Sequence, residues 1–409
     1  MTHTASVQQF LNSQIPAALD LLREMVAINS FTSNRDGVNR LGRFTADCFA
    51  SFGFTAAFVP CANPAWGDHL VMCRRGKSAR NIVLISHLDT VFPPEEEIRN
   101  QFHWQVEGDR IFGPGTNDIK GGTVMMWLVL SALRSQVPDL FKDLTWTLLW
   151  NSSEERFSND FAQLCRGRFD SGTLAALVFE CEGRAGMEPL LVVARKGWAA
   201  WRVTVAGRSS HAGVKHDRGA NAIVQMAHTV QRIAALTDYA RDLTFNVGTI
   251  CGGTGLNRVP HEAAVEGEFR AFSPGVYAQA KAAFLALAGQ GAVTSPVDGY
   301  ACSVRTEILS ERTPWPRNAG TERLFNIWRQ AGTELGMAVG SQERGGLSDG
   351  NLIWDAVPTL DGLGPWGDND HCSERSPDGS KLPEFVSLSS FVPKATLNSL
   401  AILKLAGQQ

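Results

Sequence analysis

The stretch Asn81-Ile-Val-Leu-Ile-Ser86 decides the fold of this chain, because it is apolar almost throughout and stops at a polar motif. A strand with one solvated face would alternate apolar and polar residues, whereas an unbroken run favours a strand buried on both faces. Residues 144–150 and 175–179 repeat this pattern, and residues 121–133 predict a buried helix between them. Strands that alternate with helices predict an α/β layered domain with a parallel or mixed sheet.

The pattern changes near Arg195, where shorter and more amphipathic segments begin. The predicted elements are strands at 198–205, 244–250, 262–270 and 301–309 and helices at 219–236 and 276–288. Their order, β-α-β-β-α-β, is that of a ferredoxin-like unit. From about residue 310 the α/β texture returns. We therefore predict one catalytic domain formed by residues 1–195 and 309–409, interrupted by a smaller domain at 196–308.

Composition narrows the class of protein. The 409 residues are 44% hydrophobic and 19% charged, with a net charge of -3, which argues against nucleic-acid or anionic-membrane binding. The start of the chain is polar and no apolar run reaches the ~20 residues of a membrane helix, so a cytoplasmic location is the default expectation. The eight scattered cysteines form no Cys-x-x-Cys pair and predict reduced thiols. Among them, Cys372 is expected to be a packed residue, with a reactive thiol as the alternative.

Five residues of metal-ligand type lie at or just beyond a predicted strand end or a buried turn. They are His87, Asp118, Glu155, Glu180 and His371. Two imidazoles and three carboxylates suit two divalent ions, and Glu154 remains as an unused carboxylate that can act as a general base. This set predicts a hydrolase.

Each signal is weak by itself, and each has a structural alternative. Asp118 could belong to a plain Gly/Asp turn, and the two adjacent glutamates could begin an exposed helix, where acids are also favoured. Glu182 competes with Glu180, and a histidine in a polar loop is usually a bystander. Asp89, two residues after His87, can accept a hydrogen bond from the far nitrogen of the ring and fix its tautomer.

Taken together, the motifs resemble a known family. They are Ser86-His-Leu-Asp-Thr-Val91, Gly113-Pro-Gly-Thr-Asn-Asp-Ile-Lys-Gly-Gly122, Asn151-Ser-Ser-Glu-Glu155, Phe179-Glu180, Ser209-Ser-His-Ala-Gly213, Asn257-Arg-Val-Pro260 and His371. In this order they resemble the dinuclear zinc exopeptidases and deacylases, which include glutamate carboxypeptidase, acetylornithine deacetylase, succinyl-diaminopimelate desuccinylase and aminoacylase. The resemblance is greatest to the glutamate carboxypeptidase branch. It implies a mixed-sheet zinc-exopeptidase-like catalytic domain with an inserted ferredoxin-like lid and dimerisation domain.

The resemblance also implies roles for the metal-site residues. Asp118 would bridge two ions, His87 and Glu180 would complete one, and Glu155 and His371 would complete the other. Glu154 would be the general base, Asp89 would support His87, and the peptide bond after Asp118 would be cis. The ions would be zinc, with manganese or cobalt as alternatives.

Other residues of the family pattern concern the substrate and a partner subunit. His211 would reach the active site of the second subunit of a homodimer and stabilise an oxyanion. The candidate substrate-binding residues are Asn257, Arg270, Arg312 and Ser348. Arg270 could equally form a structural ion pair. The chain departs from the family at Arg156-Phe157-Ser158 and at Cys181-Glu182-Gly183-Arg184, two segments that could reshape the pocket.

These expectations favour a hydrolase that cleaves an amide bond, C-terminal or N-acyl, in a small amino-acid conjugate or dipeptide. A deaminase or decarbamoylase of a small, possibly aromatic, amine would need the same metal site and remains the alternative. A non-catalytic scaffold protein would lack a ligand or the base, and this chain lacks neither.

Overall fold

The computed structural model describes residues 3–156 and 159–407 of the chain. The helices are α1 (His3–Val26), α2 (Arg35–Ala50), α3 (Pro94–Arg99), α4 (Gly121–Gln136), α5 (Pro138–Asp143), α6 (Asp160–Arg166), α7 (Ala222–Ala234), α8 (Pro274–Leu285), α9 (Ala319–Glu334) and α10 (Phe391–Gly407). The strands are β1 (Thr55–Val59), β2 (His69–Arg74), β3 (Asn81–His87), β4 (Gln105–Glu107), β5 (Arg110–Phe112), β6 (Thr145–Asn151), β7 (Thr173–Val178), β8 (Gly183–Ala185), β9 (Glu188–Arg195), β10 (Gly197–Ala206), β11 (Thr244–Gly252), β12 (Glu262–Ala271), β13 (Gly289–Thr294), β14 (Ala301–Arg312), β15 (Gly340–Arg344), β16 (Thr359–Leu360), β17 (Gly367–Asp368) and β18 (Phe385–Ser387). In that part of the chain no helix has the length and apolar character needed to cross a membrane.

The chain forms two compact units. The first comprises the chain up to Val193, residues Arg317–Gln342 and the chain from Ser348 onward. The second comprises Ala194–Pro316 and Glu343–Leu347. The second unit thus extends eight residues past the predicted end at 308, because β14 stays paired with β10 as far as Arg312.

A six-stranded mixed sheet forms the centre of the first unit, in the order β1-β2-β6-β3-β7-β16. Strands β6, β3 and β7 are parallel, and β1 and β2 extend the sheet in antiparallel pairs. Every residue of β3 is buried, which confirms the prediction of a strand covered on both faces. Helices α1, α4 and α10 belong to the apolar core on one face, and Phe161 of α6 belongs to the core on the other. The predicted α/β layered architecture is therefore correct.

The second unit is a five-stranded antiparallel sheet in the order β11-β12-β10-β14-β13, with α7 and α8 contributing to its core. The elements follow the predicted β-α-β-β-α-β order, with one addition. The sequence analysis missed β13, which lies at the sheet edge and keeps only three registered pairs with β14. Its Gly-Gln-Gly start lacks the branched and aromatic residues by which strands are recognised.

Helix α4 approaches the end of β7 so closely that its second residue, Gly122, has no space for a side chain. A Cβ atom at Gly122 would lie 2.1 Å from the carbonyl oxygen of Phe179, the residue before Glu180. Because the Phe179 oxygen belongs to the backbone, it cannot move aside without shifting the strand end. Gly122 therefore sets the distance between this helix and the end of the strand.

We expect Gly122→Ala to lower the free energy of unfolding by about 1–3 kcal/mol, because the added methyl group forces α4 away from Phe179. The measurement is the urea midpoint of the variant against the wild-type protein. Gly407→Ala is the matched control, since a Cβ atom at this glycine of α10 meets nothing within 4 Å. Equal stability of Gly122→Ala and the wild type would contradict the close approach.

Candidate metal centre and active site

The candidate ligands converge because three parallel strands end at the same edge of the central sheet. His87, the last residue of β3, is in register with Asn151, the last residue of β6. On the other side of β3, Ile85 is in register with Val178, the last residue of β7. The residues that follow these strands therefore share one crevice at the carboxyl edge, the usual ligand site of α/β sheets.

The Asp118 carboxylate lies between two imidazoles. Its Oδ1 atom is 3.0 Å from Nε2 of His87, and its Oδ2 atom is 3.2 Å from Nε2 of His371. The peptide bond between Asp118 and Ile119 is cis, as predicted. Each carboxylate oxygen thus faces one ring nitrogen, an arrangement that a carboxylate bridging two cations requires.

A glutamate accompanies each imidazole. Glu180 Oε1 lies 3.8 Å from His87 Nε2, and Glu155 Oε2 lies 3.4 Å from His371 Nε2. The other oxygen of Glu155 is buried and has no hydrogen-bond partner among the described residues. An orphaned carboxylate oxygen, with His87, Asp118 and Glu155 offering ligand atoms within 4.8 Å of one another, fits divalent cations.

Burial and repulsion from neighbouring carboxylates make Glu154 and Glu155 hard to ionise. Burial raises the pKa of Glu155 to about 7, and it raises the pKa of Glu154 well above the ordinary value. Burial would also raise the pKa of Asp118, but hydrogen bonds from His371 and His87 hold it below its usual range. Hydrogen bonds to Asp118 and Glu155 raise the pKa of His371 to about 11. The carboxylates of the cluster are therefore stabilised by positively charged groups placed between them.

Asp89 holds the backbone of the glutamate pair. Its Oδ1 accepts from the Glu154 amide at 3.0 Å, and its Oδ2 accepts from the Glu155 amide at 3.2 Å and from Thr32 Oγ1 at 2.6 Å. The expectation that this carboxylate orients His87 needs correction. His87 Nδ1 lies 2.9 Å from the backbone carbonyl oxygen of Asp89 and 3.6 Å from the carboxylate, so the main chain fixes the tautomer.

Glu384 also shapes the site, and the sequence analysis missed it. Its Oε1 accepts from the amides of Asn117 and Asp118 at 2.7 and 3.0 Å, so it sets the direction of the bridging carboxylate. The available signal was a single acid directly before the buried strand β18. Glu182, the competitor of Glu180, is instead paired with Lys394 at 3.0 Å and with Arg184 at 2.9 Å.

The four predicted substrate-binding residues differ, each within its own compact unit, in their burial and in their hydrogen-bond partners. Arg270 donates to Glu268 and to the Gly345 carbonyl, which matches the ion-pair alternative. Ser348 caps a short helical turn and donates to Asp361 at 2.7 Å. Arg312 is buried at the end of β14, and Asn257 is exposed in the loop after β11.

His211 is exposed in the second unit, and its Nδ1 accepts from the amides of Gly213 and Val214, both at 3.1 Å. In the neutral ring Nε2 therefore carries the proton and is available as a donor. Of the unusual segment after Glu155, Arg156 is exposed with its guanidinium 6.0 Å from the Phe31 ring centre. Phe157 and Ser158 lie outside the described residues.

Several known proteins with similar sequences or folds are peptidases. Residues 193–292 match the family described as "Peptidase dimerisation domain". Carboxypeptidase G2 of Pseudomonas sp. (strain RS-16) is 30% identical over 263 residues, which cover 64% of this chain and 61% of that relative. The alignment thus spans about three fifths of the relative.

Solved structures extend the likeness in fold over nearly the whole chain. The aminopeptidase PepT of Bacillus cereus matches with a TM-score of 0.73 and 20% identity, covering 96% of this chain and 99% of that one. The M20 family metallo-carboxypeptidase Sso-CP2 of Sulfolobus solfataricus matches with a TM-score of 0.69 and 13% identity, covering 95% and 99%. These matches show that the chain shares its fold with solved peptidase structures.

We expect Glu384→Ala to weaken divalent-metal binding by about 10- to 100-fold, because two backbone amides beside Asp118 lose their acceptor. Glu384→Gln is the matched control, since its amide oxygen can accept both hydrogen bonds, and we expect its affinity to stay near that of the wild type. Metal affinity is measured by competition with a chromophoric chelator. Equal affinity in Glu384→Ala would remove Glu384 from the site.

Proposed function

We propose that this chain, which belongs to the M20 family of dinuclear metallopeptidases and deacylases, hydrolyses an amide bond in a small amino-acid conjugate or dipeptide. The observation that carries the proposal is the Asp118 carboxylate, each oxygen of which faces an imidazole accompanied by a glutamate. The spare Glu154, held beside this cluster by Asp89, supplies the base that a binding protein would not need.

The five candidate ligands would divide into two half-sites around Asp118. His87 and Glu180 belong to one half-site, and Glu155 and His371 belong to the other. Two divalent ions, which we propose to be zinc with manganese or cobalt as alternatives, would when bound polarise the scissile carbonyl and lower the pKa of a water molecule.

Glu154 would accept the proton of the attacking water and then deliver it to the leaving nitrogen. Burial raises the pKa of Glu154 well above its ordinary value, which strengthens it as a base towards the water proton. His211, with its proton on Nε2, would donate a hydrogen bond to the oxyanion in the active site of a partner subunit.

We also propose a cellular location and a way to identify the substrate. The eight cysteines are free thiols, which suits the reducing cytoplasm. For the bond that is cleaved, we propose a screen of N-acyl amino acids and dipeptides against N-carbamoyl compounds and aromatic amines. Release of ammonia or of a carbamoyl group, with no amide cleavage, would favour the alternative reaction at the same residues.

We expect Glu154→Gln to lower kcat by about 10²–10⁴-fold while metal content stays at the wild-type level, because the variant loses the base and keeps the ligands. Turnover of the best substrate and metal analysis by mass spectrometry give the two readouts. Glu334→Gln, which removes an exposed carboxylate at the end of α9, is the control and should retain full activity. Full turnover by Glu154→Gln would refute the general-base role.

We expect two inactive variants, Glu154→Ala and His211→Ala, to regain activity when their subunits are mixed. In a mixed dimer one active site carries both substitutions and the other carries neither, so random exchange should restore about a quarter of the wild-type activity. The measurement is specific activity after co-expression or after dissociation and reassociation. Mixtures as inactive as either parent would place His211 and Glu154 of the same subunit in one site.

A further inference from the structure

A buried imidazole outside the metal cluster contacts both ends of the segment that carries Glu154 and Glu155. His69 is the first residue of β2 and is 1% exposed. The Ser152 amide, on the near side of the glutamates, donates to its Nδ1 at 3.1 Å. Its Nε2 lies 3.1 Å from Asp160 Oδ2, on the far side of the glutamates.

The hydrogen bonds fix which nitrogen carries the proton. A backbone amide can only donate, so Nδ1 must be the unprotonated acceptor and Nε2–H must donate to Asp160. Asp160 also accepts from the Ala62 amide at 2.6 Å. Burial opposes ionisation of Asp160, but the hydrogen bonds from His69 and Ala62 hold its pKa below the usual range.

This proton arrangement argues against a third metal site. Cys61, His69 and Asp160 offer ligand atoms within 4.8 Å of one another. A metal-binding imidazole presents one bare nitrogen to the ion and donates from the other, whereas here the nitrogen facing Asp160 carries the proton. Burial raises the pKa of the Cys61 thiol, which favours the neutral form over the thiolate that binds metals. The cluster is therefore a hydrogen-bonded clamp.

We propose that His69 is a positioning residue for the general base, because its two ring nitrogens tie Ser152 and Asp160 together across Glu154. The inference rests on the function proposed above. Asp89 holds the amides of the glutamate pair from one side, and His69 fixes the chain on both sides of the pair. A general base must lie within hydrogen-bond reach of its proton, and a displacement of about 1 Å can cost about 10²-fold in rate.

Two variants separate the two hydrogen bonds. His69→Asn places an amide oxygen near the position of Nδ1 and loses the reach to Asp160, whereas His69→Gln reaches toward Asp160 and loses the acceptor for Ser152. We expect each to lower kcat by about 10- to 100-fold with little change in KM or metal content, because the base is displaced and the ligands remain. Asp160→Ala, which removes the oxygen that accepts from His69 and from the Ala62 amide, should lower kcat in the same way, and added to His69→Asn it should cause little further loss.

Thr147→Val is the control, because it removes a buried hydrogen bond, to Asn81 at 3.1 Å, from the opposite end of β6. It should lower the melting temperature and leave kcat unchanged. If the His69 variants and Asp160→Ala also lose only thermal stability, the positioning role is overturned. If the His69 variants fail to fold, Asp160→Ala alone decides, and an unchanged kcat overturns the inference.

If the proposed function is wrong, the wild-type protein itself gives a different result from the one that overturns the role of His69. In that case the wild-type protein, loaded with metal, would hydrolyse none of the screened amides. Hydrogen exchange of the peptide covering Ser152–Asp160 then decides the inference by itself. Faster exchange in His69→Gln than in Thr147→Val supports the clamp, and equal exchange overturns it.

Discussion

Repulsion between buried carboxylates is the constraint on which the site depends. The side chains of Asp118, Glu155 and Glu180 are only 9–17% exposed and lie, with Glu154, at the carboxyl edge of the central sheet, so little water separates their charges. Burying a charge is costly unless it is paired, and within the described cluster the pairing groups are the imidazoles of His87 and His371. The same crowding would favour the binding of divalent cations between these carboxylates.

Two further carboxylates accept hydrogen bonds from the backbone beside the candidate ligands and are not themselves candidate ligands. Asp89 accepts the amides of the glutamate pair, and Glu384 accepts those of Asn117 and Asp118. Each thus fixes a short helical turn that carries candidate ligands. Catalytic residues need rigid placement of this kind, because residues on loose turns would move in response to each other's charge and lose the geometry that the reaction requires.

The sequence predicted what depends on local pattern. Unbroken apolar runs located β3, β6 and β7, and the polar residues directly after them located most of the candidate ligands. Contacts between distant segments escaped prediction, because nothing near Glu384 or His69 in the chain points to their partners. The residue types also do not reveal that the backbone carbonyl of Asp89, and not its carboxylate, faces His87, because this depends on local backbone geometry. Strand β13 was missed because a weakly paired edge strand needs few of the residues typical of strands.

The two half-sites around Asp118 differ in their access to solvent. His87 is 1% exposed in its side chain at the end of a central strand, whereas His371 is 53% exposed on a turn where it and Asn369 adopt left-handed backbone angles. The imidazole of His371 is therefore the more accessible of the two to water. The consequence is kinetic: an ion held by Glu155 and His371 would exchange with the medium faster than its neighbour, and the centre would load and empty in a fixed order.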